Sequence, residues 1–211
     1  MLSAMNLRAR AGLGAAASAV TAALVLAAPA SAAVAAPAPA AALPGASVRA
    51  LPPYSTWIAD VTAVADQASA YLGDVLPTGS FRPAIVLDID NTALQTTYRP
   101  GLTSPATGPI LEIARRAAAD GAAVFFVTAR PEILGWQTEI NLDLVGYPVE
   151  RVYLRPWFDT QPDAELKTGA RKAIEAQGYR IVANIGNSAS DLSGGHADRV
   201  FKLPDYDGQL I

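Results

Sequence analysis

Residues 84–92 of the chain, AIVLDIDNT, join a short apolar run to two acids, Asp88 and Asp90. The apolar run contains β-branched residues and is typical of a buried strand. Carboxylates placed directly after a buried strand are costly to keep ionised unless a cation or hydrogen-bond donors meet them. This segment therefore predicts a strand that ends at a charged site.

Strand and helix signals alternate along the rest of the chain. Further strands are predicted at 123–127, 152–154, 180–185 and 200–202, and helices at 54–76, 108–120, 131–144 and 164–177. Pro131 is expected at the first position of its helix, and Pro77-Thr78-Gly79 is expected to end the first helix. Continuous apolar strands between helices indicate a parallel sheet covered on both faces. The predicted fold class is α/β, a three-layer Rossmann-like sheet with helices on both faces.

Polar residues follow the predicted strands at the edge where such sheets bind ligands. Asp88 and Asp90 follow the first strand, and the second strand is followed by an alcohol and a base. Lys167 lies near the start of a helix, and the fourth strand leads into an amide and an acid. These groups are expected to converge on one point: Asp88, Asp90, Thr128, Ala129, Arg130, Lys167, Asn187 and Asp191.

Each of these residues also has an ordinary structural interpretation. The two acids could form a turn, and Thr128 or Asp191 could cap a helix. Lys167 could be a solvated helix residue. A calcium-binding loop is excluded, because its required Gly and Glu positions hold Ala93 and Arg99. The order and placement of the residues together favour a functional site.

The composition of the chain limits the remaining possibilities. Its 211 residues, 51% of them hydrophobic, suffice for one domain with a sizeable core. The formal net charge of -3 offers no basic surface to a nucleic-acid polymer or an anionic membrane. The absence of cysteine excludes disulfides, thiol catalysis, cysteine-ligated zinc and lipid attachment through cysteine.

Residues 1–32 are predicted to be a signal peptide. Arg8 and Arg10 precede an apolar run, and a small-x-small cleavage signal ends at Ala32. The two arginines are not adjacent, which favours the general secretory route over the twin-arginine route. A membrane anchor is the alternative, but cleavage after Ala32 predicts a secreted protein without a stable anchor.

Two further segments complete the predicted organisation. Residues 33–51 are rich in alanine and proline and are expected to form a disordered leader. Residues 52–211 are expected to form the folded domain. Only 35 residues (88–122), which include the predicted helix 108–120, separate the first two strands, and 155–166 form at most a small insert, so little or no cap domain is expected.

The chain resembles the haloacid dehalogenase (HAD) superfamily, and within it the secreted acid phosphatases related to plant vegetative storage proteins and to bacterial class B and class C enzymes. The resemblance spans about residues 54 to 205 and lies in four pieces. These are IVLDIDNTAL at 85–94, FFVTARPE at 125–132, Lys167 with Arg171-Lys172, and GYRIVANIG at 178–186 leading to Asp191-Leu192. An Asp-x-Asp-x-Thr sequence after a strand is a specific signal of this superfamily.

The resemblance implies a magnesium-dependent phosphomonoesterase that acts on small molecules. Asp88 would be the nucleophile that forms an aspartyl-phosphate, and Asp90 the general acid and base. The second acid favours phosphatase over dehalogenase, since a departing halide needs no proton. Thr128 and Lys167 would act in catalysis by holding phosphoryl oxygens, with Ala129 and Arg130 in the phosphate-binding set. The implied Mg²⁺ ligands are Asp88, the backbone carbonyl of Asp90, Asn187 and Asp191.

The sequence departs from the family pattern at Asn187, because the fourth motif of the family usually begins Gly-Asp. An amide brings no charge, so weaker magnesium binding is expected. A 5′-nucleotidase, a phosphotransferase and a non-catalytic storage or binding protein remain alternatives. Several side chains could cover the site or stack on a leaving group, or could simply pack: Trp57, Tyr98, Trp136, Trp157 and Phe158. Packing is favoured for Trp136, and a structural role for His196.

Overall fold

The computed structural model describes residues 50–76 and 80–211. The predicted signal peptide, all but the last two residues of the predicted leader, and the predicted helix stop at 77–79 lie outside the described residues. No helix in the described part of the chain is long and apolar enough to cross a membrane.

Five parallel strands form one sheet in the order β3-β2-β1-β4-β5. The elements in chain order are α1 (Tyr54–Val75), β1 (Arg82–Leu87), α2 (Gly108–Ala119), β2 (Ala123–Pro131), a 3₁₀ turn (Glu132–Leu134), α3 (Gly135–Leu144), β3 (Arg151–Arg155), α4 (Asp163–Ala176), β4 (Tyr179–Gly186), α5 (Ala189–Leu192) and β5 (Arg199–Lys202). The α/β class and the parallel sheet are confirmed.

Both faces of the sheet are covered by helices. Side chains alternate along β1, so that Ile85 and Leu87 pack in one apolar cluster and Val86 packs in another. The first cluster includes the buried stripe of α1, whose members recur every three or four residues: Trp57, Val61, Ala65, Ala68 and Leu72. The second cluster includes Ile174 of α4. The central strand is therefore buried on both sides, as its continuous apolar run predicts.

The boundary between β2 and α3 differs from the prediction. Pro131 is the last residue of β2, where it pairs with Arg155 of β3, and α3 begins only at Gly135 after the 3₁₀ turn. The extended backbone of Pro131 and its missing N–H suit a strand end. The prediction of Pro131 as a first helical residue was wrong, and so was the alternative that Thr128 caps a helix.

The loop 88–107 returns from β1 to α2 without an inserted domain. It is tied to itself at Leu94, which makes isolated bridges to Asp90 and Ala106. The described chain thus carries no cap between β1 and α2, and the carboxyl edge of the sheet stays open. Residues 156–162 connect β3 to α4 as a second short loop at that edge.

Candidate active site

A cavity of about 320 Å³ lies at the carboxyl edge of the sheet. All eight residues predicted to converge line it: Asp88, Asp90, Thr128, Ala129, Arg130, Lys167, Asn187 and Asp191. They come from the ends of β1, β2 and β4, from the N-terminal half of α4 and from α5. The expectation that polar groups after parallel strands meet at one edge of the sheet therefore predicted where these residues converge, although they are spread over about half of the sequence.

The innermost part of the cavity is a buried charge cluster. The Lys167 ammonium lies 3.0 Å from Asp88 Oδ1 and also contacts Asp191 Oδ1. Only 6% of the Lys167 side chain and 7% of the Asp88 side chain are exposed. Burial alone would lower the pKa of Lys167, but the two carboxylates outweigh it and raise that pKa, so the amine stays charged.

Asp88 and Asp191 together bring more negative charge into this cluster than Lys167 balances. Burial, and next the charge of Asp191, raise the pKa of Asp88 from 3.8 to about 7, against the opposing effect of Lys167. Two buried carboxylates thus share one ammonium. The site favours a further positive charge or a proton.

Asp191 is positioned by its own loop. Its Oδ2 accepts a 2.7 Å hydrogen bond from the Ser188 N–H, and the two residues form a capping box at the start of α5. A β-carbon on Gly186 would overlap the Asp191 side chain, so glycine is required at this strand end. The Asn184 amide donates to the Asp191 carbonyl at 2.8 Å. Asp191 thus belongs to a capping box from inside α5, with Ser188 as the N-cap residue, and the alternative that Asp191 caps the segment after it was wrong.

Arg171 is a fully buried residue that supports the site from α4. It donates to the carbonyls of Asp191 (2.7 Å), Gly195 (2.9 Å) and Ser193. Burial lowers the pKa of Arg171, and the charge of Asp191 opposes this effect. Arg171 belongs to the sequence resemblance, but no role was predicted for it. Its spacing of four residues from Lys167, which places both on one helix face, was the available signal.

The outer part of the cavity is an ion pair between Asp90 and Arg130. Arg130 Nε and Nη2 reach the two Asp90 oxygens at 2.8 and 2.7 Å, a bidentate arrangement. The Asp90 side chain is 43% exposed. Arg130 Nη1 also donates to Thr138, and the Arg130 N–H donates to the Thr128 hydroxyl. The structure therefore directs the Arg130 guanidinium to the second acid of the motif.

Asn187 is buried, and both the nitrogen and the oxygen of its side-chain amide form hydrogen bonds. The nitrogen donates to the Leu210 carbonyl at 2.7 Å, and the oxygen accepts from the Thr92 hydroxyl at 3.3 Å. Thr92 thus links the loop after β1 to the loop after β4. The assignment of Asn187 as a magnesium ligand stays a prediction.

The donor set at the cavity fits a hard divalent cation. Among the described residues no three His, Cys, Asp or Glu side chains form a metal cluster. The carboxylates of Asp88 and Asp191 are nevertheless oxygen donors in charge excess over Lys167. Magnesium prefers one or two carboxylates completed by carbonyls and water.

The aromatic residues divide into packed and exposed groups. Trp57 is buried and stacks on Tyr98 with ring centroids 4.7 Å apart, so these two anchor α1 rather than bind substrate. Trp136, Trp157 and Phe158 are exposed, so the packing expected of Trp136 was wrong. His196 lies away from the cavity lining and pairs with Glu175 at 2.5 Å.

Comparison with known proteins finds similarity to acid phosphatases. A family model described as HAD superfamily, subfamily IIIB (Acid phosphatase) matches residues 101–209. Acid phosphatase 1 of Solanum lycopersicum is 30% identical over 169 residues, which cover 69% of this chain and 66% of the relative. Stem 28 kDa glycoprotein of Glycine max is 40% identical over 90 residues, 40% of this chain and 35% of the relative.

Solved structures share the fold. The class C acid phosphatase from Bacillus anthracis matches with a TM-score of 0.57 and 21% identity, covering 67% of each chain. The chain spans only about a third of the length of the soybean stem glycoproteins that it matches, 35% and 31%.

Proposed function

The chain belongs to subfamily IIIB of the HAD superfamily, the acid phosphatases, and on this premise we propose that it hydrolyses phosphate monoesters through a phosphorylated Asp88. The observation that carries the proposal is the buried contact of Asp88 with Lys167 at 3.0 Å. It places a nucleophile beside a fixed positive charge that can screen an approaching phosphate anion.

In the first step, an Asp88 oxygen attacks phosphorus in line and forms a P–O bond to the enzyme. The bond from phosphorus to the leaving oxygen breaks, and Asp90 in its protonated form supplies the proton for that oxygen. The Thr128 hydroxyl, the Ala129 N–H and Lys167 hold the phosphoryl oxygens during transfer. Asp90 is suited to this proton transfer because it lies at the open end of the cavity.

In the second step, water attacks phosphorus of the aspartyl-phosphate. Asp90, now a carboxylate, takes a proton from this water. The P–O bond to Asp88 breaks, inorganic phosphate leaves, and both acids return to their starting states. Arg130 would exchange part of its contact with Asp90 for a phosphoryl oxygen, because a guanidinium binds either group in the same planar geometry.

We further propose Mg²⁺ as the cofactor of this reaction. The residues that would hold it are Asp88, the backbone carbonyl of Asp90 and Asp191, with Asn187 as the predicted fourth donor. When bound there, the ion would neutralise charge on the transferring phosphoryl group. The excess of buried carboxylate over ammonium supports this assignment.

The proposed substrates are small-molecule phosphomonoesters of several kinds. The support is the open cavity, with Asp90 at its mouth and no cap inserted at 88–107. Secretion after cleavage at Ala32 is proposed from the sequence of the first 32 residues. N-terminal sequencing of the protein released into culture medium should begin at Ala33, and an intact residue 1 would contradict cleavage.

The deciding experiment measures phosphate release from a panel of phosphomonoesters, with Mg²⁺ and with a chelator. We expect turnover of several substrates with Mg²⁺, loss with the chelator, and no turnover by Asp88→Asn. Strict preference for nucleotides would favour a 5′-nucleotidase, and phosphate transfer to added alcohols a phosphotransferase. No turnover of any substrate by the wild-type chain would overturn the enzyme assignment.

A further inference from the structure

The last residues of the chain pack against the cavity. We define the tail segment as residues 203–211, which follow β5. The Leu203 N–H donates to the Gly186 carbonyl at 2.9 Å, and the side chains of Leu203 and Leu210 are buried. Leu210 and Ile211 line the same cavity as the catalytic acids. The tail segment is therefore a wall of the candidate active site.

One backbone carbonyl joins the tail segment to both loops that carry the site. The Leu210 oxygen accepts from the side-chain amides of Asn91 (2.9 Å) and Asn187 (2.7 Å). Asn91 belongs to the loop after β1, and Asn187 follows β4. Both side chains are buried, so water does not compete readily for these bonds.

Polar side chains of the tail segment make more exposed contacts. Tyr206 donates to Asp60 at 2.7 Å, and Lys202 pairs with Asp205 at 2.9 Å. Exposed pairs of this kind contribute little because solvent screens them. The Leu203 N–H and the Leu210 carbonyl are buried polar anchors of the segment, and of the two the Leu210 carbonyl is the one held by side chains.

This contact explains the amide at position 187. A carbonyl oxygen only accepts hydrogen bonds, so the group that faces it must donate. A carboxylate there, which the family pattern leads one to expect, would place a buried anion against the Leu210 oxygen and leave that oxygen without one donor. The amide oxygen of Asn187 meanwhile accepts from Thr92, so the side chain satisfies a donor and an acceptor at once.

We propose that Asn187 is a positioning residue that, together with Asn91, fixes the tail segment as a wall of the active site, and that Ile211 in this wall is a specificity-determining residue that favours apolar leaving groups. Ile211 suits this role because the residue is 75% exposed and lines the cavity. An exposed apolar surface at a polar site gains from contact with an aryl or alkyl group. Only the second part of the proposal rests on the proposed phosphatase function.

The first test is hydrogen exchange of the tail segment in metal-free protein without substrate. Asn187→Asp and Asn187→Ala are expected to speed amide exchange in a peptide covering 203–211 by about tenfold, because a buried hydrogen bond to the segment is lost. The matched control is Asn184→Asp, a buried β4 residue that holds Asp191 and not Leu210. It should leave tail exchange near the wild-type rate, and exchange in α2 serves as the check on global folding in every variant.

Unchanged tail exchange in both Asn187 variants would overturn the positioning role, and a shift in magnesium affinity alone would then mark Asn187 as a metal ligand only. Equal acceleration in Asn184→Asp would also contradict it. These outcomes do not depend on turnover, so they remain informative if the chain is not a phosphatase.

The second test measures binding of phenylphosphonate and methylphosphonate, which carry a phosphoryl-like group but are not hydrolysed. Ile211→Ala should raise the Kd of phenylphosphonate about three- to tenfold, as expected for a lost apolar contact, with the Kd of methylphosphonate unchanged. Asn187→Asp should reproduce the loss for phenylphosphonate. No preference for phenylphosphonate in the wild-type chain, or equal losses for both ligands in Ile211→Ala, would overturn the specificity role.

Discussion

Asp88 and Asp90 are separated by one residue, yet the structure gives them opposite surroundings. Asp88 faces the buried ammonium of Lys167 with 7% of its side chain exposed, whereas Asp90 faces the guanidinium of Arg130 with 43% exposed. One strand end thus delivers one acid into a desolvated cluster and another to the cavity mouth. The difference fits the proposed roles, in which Asp88 stays fixed as the nucleophile and Asp90 exchanges protons with substrate and water.

The two regions also differ in how they are supported. The inner cluster depends on a buried scaffold in which Arg171 and Asn184 hold the Asp191 carbonyl. The outer pair depends on a single bidentate contact from Arg130. Breaking a buried pair costs about 3–5 kcal/mol, while exposed pairs contribute about 0–1 kcal/mol. Variants that leave a charge of the inner region unpaired should therefore lower both activity and stability, and variants in the outer region mainly activity.

Asp88→Asn should have the largest effect on turnover, a loss of roughly 10⁴-fold or more, since the nucleophile is removed. The amide leaves Lys167 and Asp191 as a balanced pair, so the metal-free variant should unfold at the wild-type temperature or above it. Steady-state phosphate release and calorimetry are the measurements. Retained turnover would refute the assignment of the nucleophile.

Lys167→Met should lower kcat about 10³-fold and destabilise the metal-free protein by about 3–5 kcal/mol. The reason is that two buried carboxylates lose their shared ammonium. Lys172→Met, an exposed position on the same helix, is the matched control and should stay within about 0.5 kcal/mol of wild type. Equal denaturation midpoints for the two variants would show that the inner cluster is not a buried charge site.

Asp90→Asn should lower steady-state turnover about 10²- to 10³-fold with a change in stability below about 1 kcal/mol. An aryl phosphate with an acidic leaving group needs little protonation in the first step, so the aspartyl-phosphate should still form. Rapid-mixing experiments should then show a burst of the phenol equal to the enzyme concentration, followed by slow turnover. If no burst appears although the variant binds the substrate as tightly as the wild type does, the proposal that Asp88 and Asp90 act in different steps would be contradicted.

The sheet and the predicted site residues follow from the sequence because both rest on local patterns. Buried central strands such as 84–87 and 180–185 have continuous apolar runs, and the structure extends each of them by only one or two residues. Groups after parallel strands share one edge, so the convergence of Asp88, Thr128 and Asn187 needed no knowledge of side-chain contacts. The resemblance to acid phosphatases is confirmed by the family match.

The features that the sequence did not predict depend on contacts between distant residues. The pairing of Pro131 with Arg155 lengthens β2, although a proline before a helical pattern suggests a helix start. The hydrogen-bond partners of Arg171 are backbone carbonyls, and because every residue has one, the sequence does not show which of them Arg171 contacts. The same holds for the Leu210 carbonyl, which joins Asn91 and Asn187 across more than 90 residues.

Arg130→Lys should have the smallest effect and tests the outer region most directly. Lysine keeps the positive charge but cannot donate to both Asp90 oxygens in a fixed plane, nor reach Thr138 at the same time. We expect KM to rise about tenfold, kcat to stay within about threefold, and the unfolding free energy to change by less than about 1 kcal/mol. Arg180→Lys provides the control, because Arg180 pairs with Asp198 at 2.8 Å and neither residue lines the cavity. A loss in kcat as large as that of Lys167→Met would mean that Arg130 belongs to the fixed machinery, and the division between an inner anchored acid and an outer exchanging acid would fail.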